Sequence, residues 1–159
     1  MDHWHEQVGL RSAEIMDGKL KLVLNNTLAA VQDGRRAIVQ FVGSLDSLVQ
    51  NRLEVLFEEL VSNTVRHGFD DNSDQSIHVR VERQPDAIRL TFEDDGIPFN
   101  PTEVDVTGQP VSKESTRIGG MGIPLIVKLS SSLSYEQPIP GREREGFHPR
   151  NRTIVSVNT

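Results

Sequence analysis

The sequence predicts an α+β domain, a two-layer sandwich with a mixed, mostly antiparallel sheet and helices on one face. Three observations predict it. Alternating apolar runs come in consecutive pairs, and stretches of helical periodicity separate them. The composition, 36% hydrophobic and 25% charged, is ordinary for a globular chain. The 159 residues suffice for one domain with its own core.

In chain order, residues 1–18 read as a poorly constrained lead-in and 19–159 as a single domain. Residues 19–24 (KLKLVL) alternate and end on Asn25-Asn26, the pattern of an edge strand. Residues 28–42 set Val31, Ala37, Ile38, Phe41 and Val42 at helical spacing, with Gly34 weakening the middle. Residues 46–67 are the strongest helical stretch. Leu53, Phe57, Leu60, Val61 and Thr64 share one face, and Gly68 marks the stop. Residues 70–76 read as a polar turn. Residues 77–82 and 87–93 alternate around Gln84-Pro85-Asp86, which predicts a hairpin. Residues 95–120 are rich in glycine and poor in large apolar groups, a loop of a length compact domains keep for function. A helix from about Gly122 through Leu129, a short strand over 133–136, a polar loop over 138–150 and a strand over 153–157 complete the chain.

The net charge of −6 argues against general binding to nucleic acid or anionic membrane. With no cysteine, disulfides and thiolate metal sites are excluded, which suits a reducing compartment. Asp2, His3, His5 and Glu6 interrupt the start where a signal peptide needs an apolar core. No apolar run approaches the ~20 residues needed to span a bilayer. A cytoplasmic protein without membrane or nucleic-acid partners is expected.

Three segments carry chemistry. Glu59, Asn63 and His67 recur every four residues, one stripe beside the apolar face of the main helix. An asparagine at such an edge can offer its carbonyl oxygen to Mg²⁺, and a glutamate can take a proton from a hydroxyl. Taken alone, the stripe reads equally as a polar helix flank closed by His67. Next, Asp94-Asp95-Gly96 ends a strand. A carboxylate fixed there can accept from an exocyclic amine, and glycine lets backbone approach a flat ligand; a simple Asp-Gly turn has the same pattern. Last, Gly119-Gly120-Met121-Gly122 runs into a helix. Exposed amides at a helix start attract phosphate. No Lys-Ser/Thr follows, so this is not a P-loop.

In this order the segments resemble the three boxes of the GHKL, or histidine-kinase-like, ATPase superfamily. Glu59-x-x-x-Asn63 resembles the N box, Asp94-x-Gly96 the G1 box and Gly120-x-Gly122 the G2 box. The likeness is nearest to the short anti-sigma-factor serine kinases, through Asn63, His67 and Gly68 and through Asp94, Gly96 and Phe99. Pro98, Pro124 and the loop 137–150 depart from that pattern. The resemblance implies ATP and Mg²⁺ as cofactors. It implies that Asp94 and Gly96 receive adenine with support from Thr153, and that Asn63 holds the metal. Gly119, Gly120 and Gly122 would cradle phosphate, and Glu59 would serve as base. Lys113 or Arg117 would neutralise the γ-phosphate, and residues 100–118 would form a lid that orders on ATP. The implied activity is protein-serine kinase, with a STAS-domain anti-sigma antagonist as substrate and a sigma factor as a further partner. A homodimer is left open. The alternative is an ATP-gated interaction module with little or no transfer. A detached histidine-kinase domain is disfavoured, because no long helix with a phosphoacceptor histidine is present beside the N box.

Overall fold

The computed structural model describes residues 9–68, 75–103, 122–139, 147 and 149–159. Strands β2 (Lys19–Asn25), β3 (Ser76–Arg83) and β6 (Asn151–Asn158) each bury about every second residue. The sheet they share therefore has one dry face and one wet face. With β1 (Leu10–Met16), β4 (Ala87–Asp94) and β5 (Ser132–Glu136) it runs in the order β1-β2-β3-β4-β6-β5, every neighbouring pair antiparallel. Register aligns Leu22 with Val79, Val79 with Phe92, Phe92 with Thr153 and Thr153 with Tyr135, a continuous row under the helices.

Helices α1 (Ala29–Val42), α2 (Ser47–His67) and α3 (Gly122–Leu129) cover the dry face, with α2 in the middle. Ile38, Leu53, Phe57, Val61 and Ile126 close one core with Leu22, Val79, Leu90 and Val155. Each such side chain, fully buried, contributes about 1.5–3 kcal/mol. Helix α2 starts at Asp46, whose carboxylate accepts from the Leu48 N–H at 2.9 Å, and ends where the Gly68 N–H donates to the Thr64 carbonyl at 2.8 Å. Gly34 has a packing reason: a Cβ there would collide with the ring of Phe57, so the glycine lets α1 and α2 approach closely. On the wet face Arg152 bridges Glu93 (3.0 Å) and Glu136 (2.7 Å), and Arg80 reaches Glu93 at 3.4 Å.

The α+β sandwich expected from the sequence is the architecture found, with a wholly antiparallel sheet. Two expectations at the N-terminus are corrected. Residues 10–16, read as lead-in, form β1, and β2 is consequently an inner strand rather than an edge. The reason is local. Strand β1 has an irregularity between Leu10 and Ser12, and it leaves Ile15 and Met16 exposed, so its alternation is broken. The turn into β2 is Asp17-Gly18, both with positive φ (54° and 72°), the geometry of a two-residue hairpin. Most of the expected turn 70–76, the segment 104–121 with most of the expected lid, and most of the loop 137–150 lie outside the described residues.

Candidate functional site

Strand β4 ends on Asp94, and register sets it directly opposite Asn151 at the start of β6. Both point to the helical side and both are buried, at 9% and 5% exposure. Burying a carboxylate and an amide is tolerable only when they are hydrogen-bonded. Asp94 Oδ1 accepts from the Gly96 N–H at 2.9 Å and from Asn151 Nδ2 at 3.0 Å. Among the described residues, Asp94 Oδ2 accepts no hydrogen bond. Burial raises the Asp94 carboxyl above the usual carboxylate range; the donors on Gly96 and Asn151 oppose this, and the charge of Asp95 adds to it.

The loop leaving β4 is pinned to the end of α2. The Ile97 N–H donates to the Gly68 carbonyl at 2.6 Å. A Cβ on Gly96 would strike that same carbonyl, so only glycine fits at this close approach. Asn151 also donates to the carbonyls of Gly96 and Ile97 (3.2 and 3.3 Å). Its own oxygen accepts from the Phe99 N–H at 3.2 Å and from the Tyr135 hydroxyl.

These contacts hold open a cavity of about 240 Å³. Leu60, Asn63, Thr64, His67 and Gly68 form its α2 wall, and Asp94, Ile97, Pro98, Phe99 and Pro101 its loop wall. Ile123 of α3 and Asn151 and Thr153 of β6 close it. The wall is largely apolar, with a few convergent polar groups, as small-molecule sites are. No hydrogen bond among the described residues engages the Asn63 side chain. No cluster of three acidic or histidine side chains able to hold a cation occurs among the described residues.

The structure thus brings together Asn63, His67, Gly68, Asp94, Thr153 and Phe99 of the residues singled out in sequence. Gly96 shapes the cavity from behind Asp94. Glu59 stands apart: it is one turn earlier on α2, outside the cavity wall, and its Oε2 lies against Gly122 at the head of α3. Gly119, Gly120, Lys113 and Arg117 lie outside the described residues. Asn151 and Tyr135 were not singled out by sequence. Their signal is the pairing of β6 with both β4 and β5, which residue patterns do not reveal.

Comparison with known proteins agrees with this geometry. Residues 24–144 match the family model described as the histidine kinase-like ATPase domain. The chain is similar to the anti-sigma F factor of Bacillus velezensis, 26% identical over 106 residues, covering 64% of this chain and 71% of that protein. It is similar to the anti-sigma F factor of Bacillus subtilis at 22% identity over the same coverage. The anti-sigma F factor of Clostridium novyi is 26% identical over 104 residues, 64% of this chain and 73% of that protein. With an antiparallel six-stranded sheet under three helices among the described residues and a family match over most of its length, the chain belongs to the histidine kinase-like ATPase domain family.

Proposed function

We propose that this chain is a cytoplasmic, ATP-binding regulator of the anti-sigma type, a protein-serine kinase acting on a STAS-domain antagonist and holding a sigma factor as a further partner. The observation that carries the reading is Asp94: a buried carboxylate with one oxygen tied down and the other unengaged among the described residues, at the wall of a largely apolar cavity. That is the acceptor an adenine amine requires. The names of the similar proteins, all anti-sigma F factors, support the regulatory class.

In this reading Asp94 Oδ2 accepts from the adenine amine and Thr153 supports the base from the neighbouring strand. Asn63 fits a magnesium ion. Its amide has no partner among the described residues, which hold no acidic cluster, so a cation here would rely on the Asn63 carbonyl oxygen, ligand phosphates and water, all hard oxygen donors of the kind Mg²⁺ takes. When bound, that ion neutralises charge on the transferred phosphoryl group. Gly119, Gly120 and Gly122 offer backbone amides to the phosphates. Glu59 takes the proton of the partner's serine hydroxyl as that oxygen bonds to the γ-phosphorus. The bond from this phosphorus to the β–γ bridging oxygen breaks, leaving ADP.

The position of Glu59 against Gly122, outside the cavity wall, favours a second reading: an ATP-gated interaction module with little transfer. Incubation with labelled ATP, Mg²⁺ and STAS-domain proteins of the same genome separates them. Label on a partner serine is expected. ATP-dependent partner affinity without label selects the module instead.

A further inference from the structure

The geometry points to Asn151 as a positioning residue that presents Asp94 to the base of a bound nucleotide and sets the preference for adenine. This rests on the adenine reading of the cavity and adds the residue that makes it selective. One buried side chain joins three other segments of the chain: β4 at Asp94, the following loop at Gly96, Ile97 and Phe99, and, through Tyr135, strand β5. Its orientation is forced. The Phe99 N–H can only donate, so it must meet Oδ1, while the carbonyls of Gly96 and Ile97 can only accept, so they must meet Nδ2. With Nδ2 fixed on that side, Asp94 Oδ1 is held by two donors, and Oδ2 remains the oxygen a ligand can use. The carboxylate plane is therefore set before ligand arrives, which lowers the ordering cost of recognition.

An aspartate at position 151 has the same shape and the opposite consequence. It would face Asp94 Oδ1 and two carbonyls with an acceptor, and buried acceptors opposed in this way are expensive. Shape alone thus does not preserve the arrangement; the amide does.

The test compares ATP with purine riboside triphosphate, which carries hydrogen in place of the N6 amine. Calorimetry on wild type, Asn151→Ala and Asn151→Asp with Mg²⁺ reads both ligands. Asn151→Ala is expected to weaken ATP about tenfold and the deaminated analogue less than about twofold, because only the amine uses the positioned oxygen. Asn151→Asp should lose the same preference. A purely structural role weakens both ligands equally, and that result overturns the inference. If wild type itself binds both ligands alike, the adenine reading fails and the inference with it. If wild type prefers ATP and Asn151→Ala retains that preference, the positioning role alone fails. Should Asn151→Ala not fold, Tyr135→Phe removes one bond that orients the amide. It is expected to cost about threefold in ATP affinity and nothing for the analogue, and an equal fall for both overturns the inference.

Discussion

Glu59 Oε2 lies 2.6 Å from the point where a Cβ on Gly122 would stand, so this carboxylate fills the space any side chain at the head of α3 would need. The obstruction is the flexible end of a long side chain, which can swing aside. Gly122→Ala should therefore fold, with stability within about 1 kcal/mol of wild type. The displaced carboxylate should be costly for chemistry: a misplacement of about 1 Å is worth roughly a hundredfold in rate. Thermal melting and transfer of labelled phosphate to a partner serine check both halves. A wild-type transfer rate in this variant removes Glu59 from the mechanism.

Gly96→Ala meets an obstacle of the other kind. Its Cβ would collide with the backbone carbonyl of Gly68, which cannot move without unwinding the end of α2. The loop must lift, breaking the bond from Ile97 to Gly68. Urea unfolding should register a loss of about 2 kcal/mol. An unchanged midpoint contradicts the packing described at this contact.

Asp94→Asn should trade binding for stability. The folded carboxyl titrates above its unfolded value because of burial. As pH rises past the ordinary carboxylate range, the unfolded chain ionises first, so stability falls until folded Asp94 ionises too, and the deficit persists at neutral pH. The neutral variant escapes that deficit, and its melting temperature without ligand should exceed that of wild type at pH 7 but not in acid. ATP affinity should drop at least about tenfold, since a hydrogen bond to a charged group is worth about 1.5–3 kcal/mol. In wild type, ATP binding should weaken as pH falls through the raised Asp94 value. Equal affinity of wild type for ATP and GTP counts against the assignment.

Asn63→Ala should weaken ATP tenfold or more when Mg²⁺ is present, about 1.4 kcal/mol. Without the metal the difference between variant and wild type should shrink. Isothermal calorimetry with and without a chelator reads this directly. The same deficit in both conditions makes Asn63 a wall residue rather than a metal ligand.

The legible part of this protein was whatever its periodicity carries. Helix α2 was readable from Asp46 to Gly68 because its apolar face, start signal and stop coincide. Strands β3 and β4 were readable because each alternates on either side of a turn. Asn63 and Asp94 were readable as a pair only through the order of the boxes, and the cavity then placed both on its wall. Strand β1 escaped because its irregularity and exposed Ile15 and Met16 erase the alternation, although Asp17-Gly18 marks a hairpin turn. Asn151 escaped for a deeper reason. Its partners are 52 to 57 positions away in sequence, except Tyr135 at 16, and no local rule says which strand pairs with which.

Strand β6 enters the sheet between two strands made before it. Its neighbours β4 and β5 do not pair with each other in the sheet order, so β6, made after both, is the strand that joins them. Pairings so distant along the chain are the slow ones to form. Since β6 also brings Asn151 and Thr153, the cavity lacks that wall on a nascent chain or on one clipped before residue 151. In the adenine reading of the cavity, a chain that responds to nucleotide is one in which β6 has been made and has closed the sheet. On that reading, fragments clipped before residue 151 are expected to be silent to ATP.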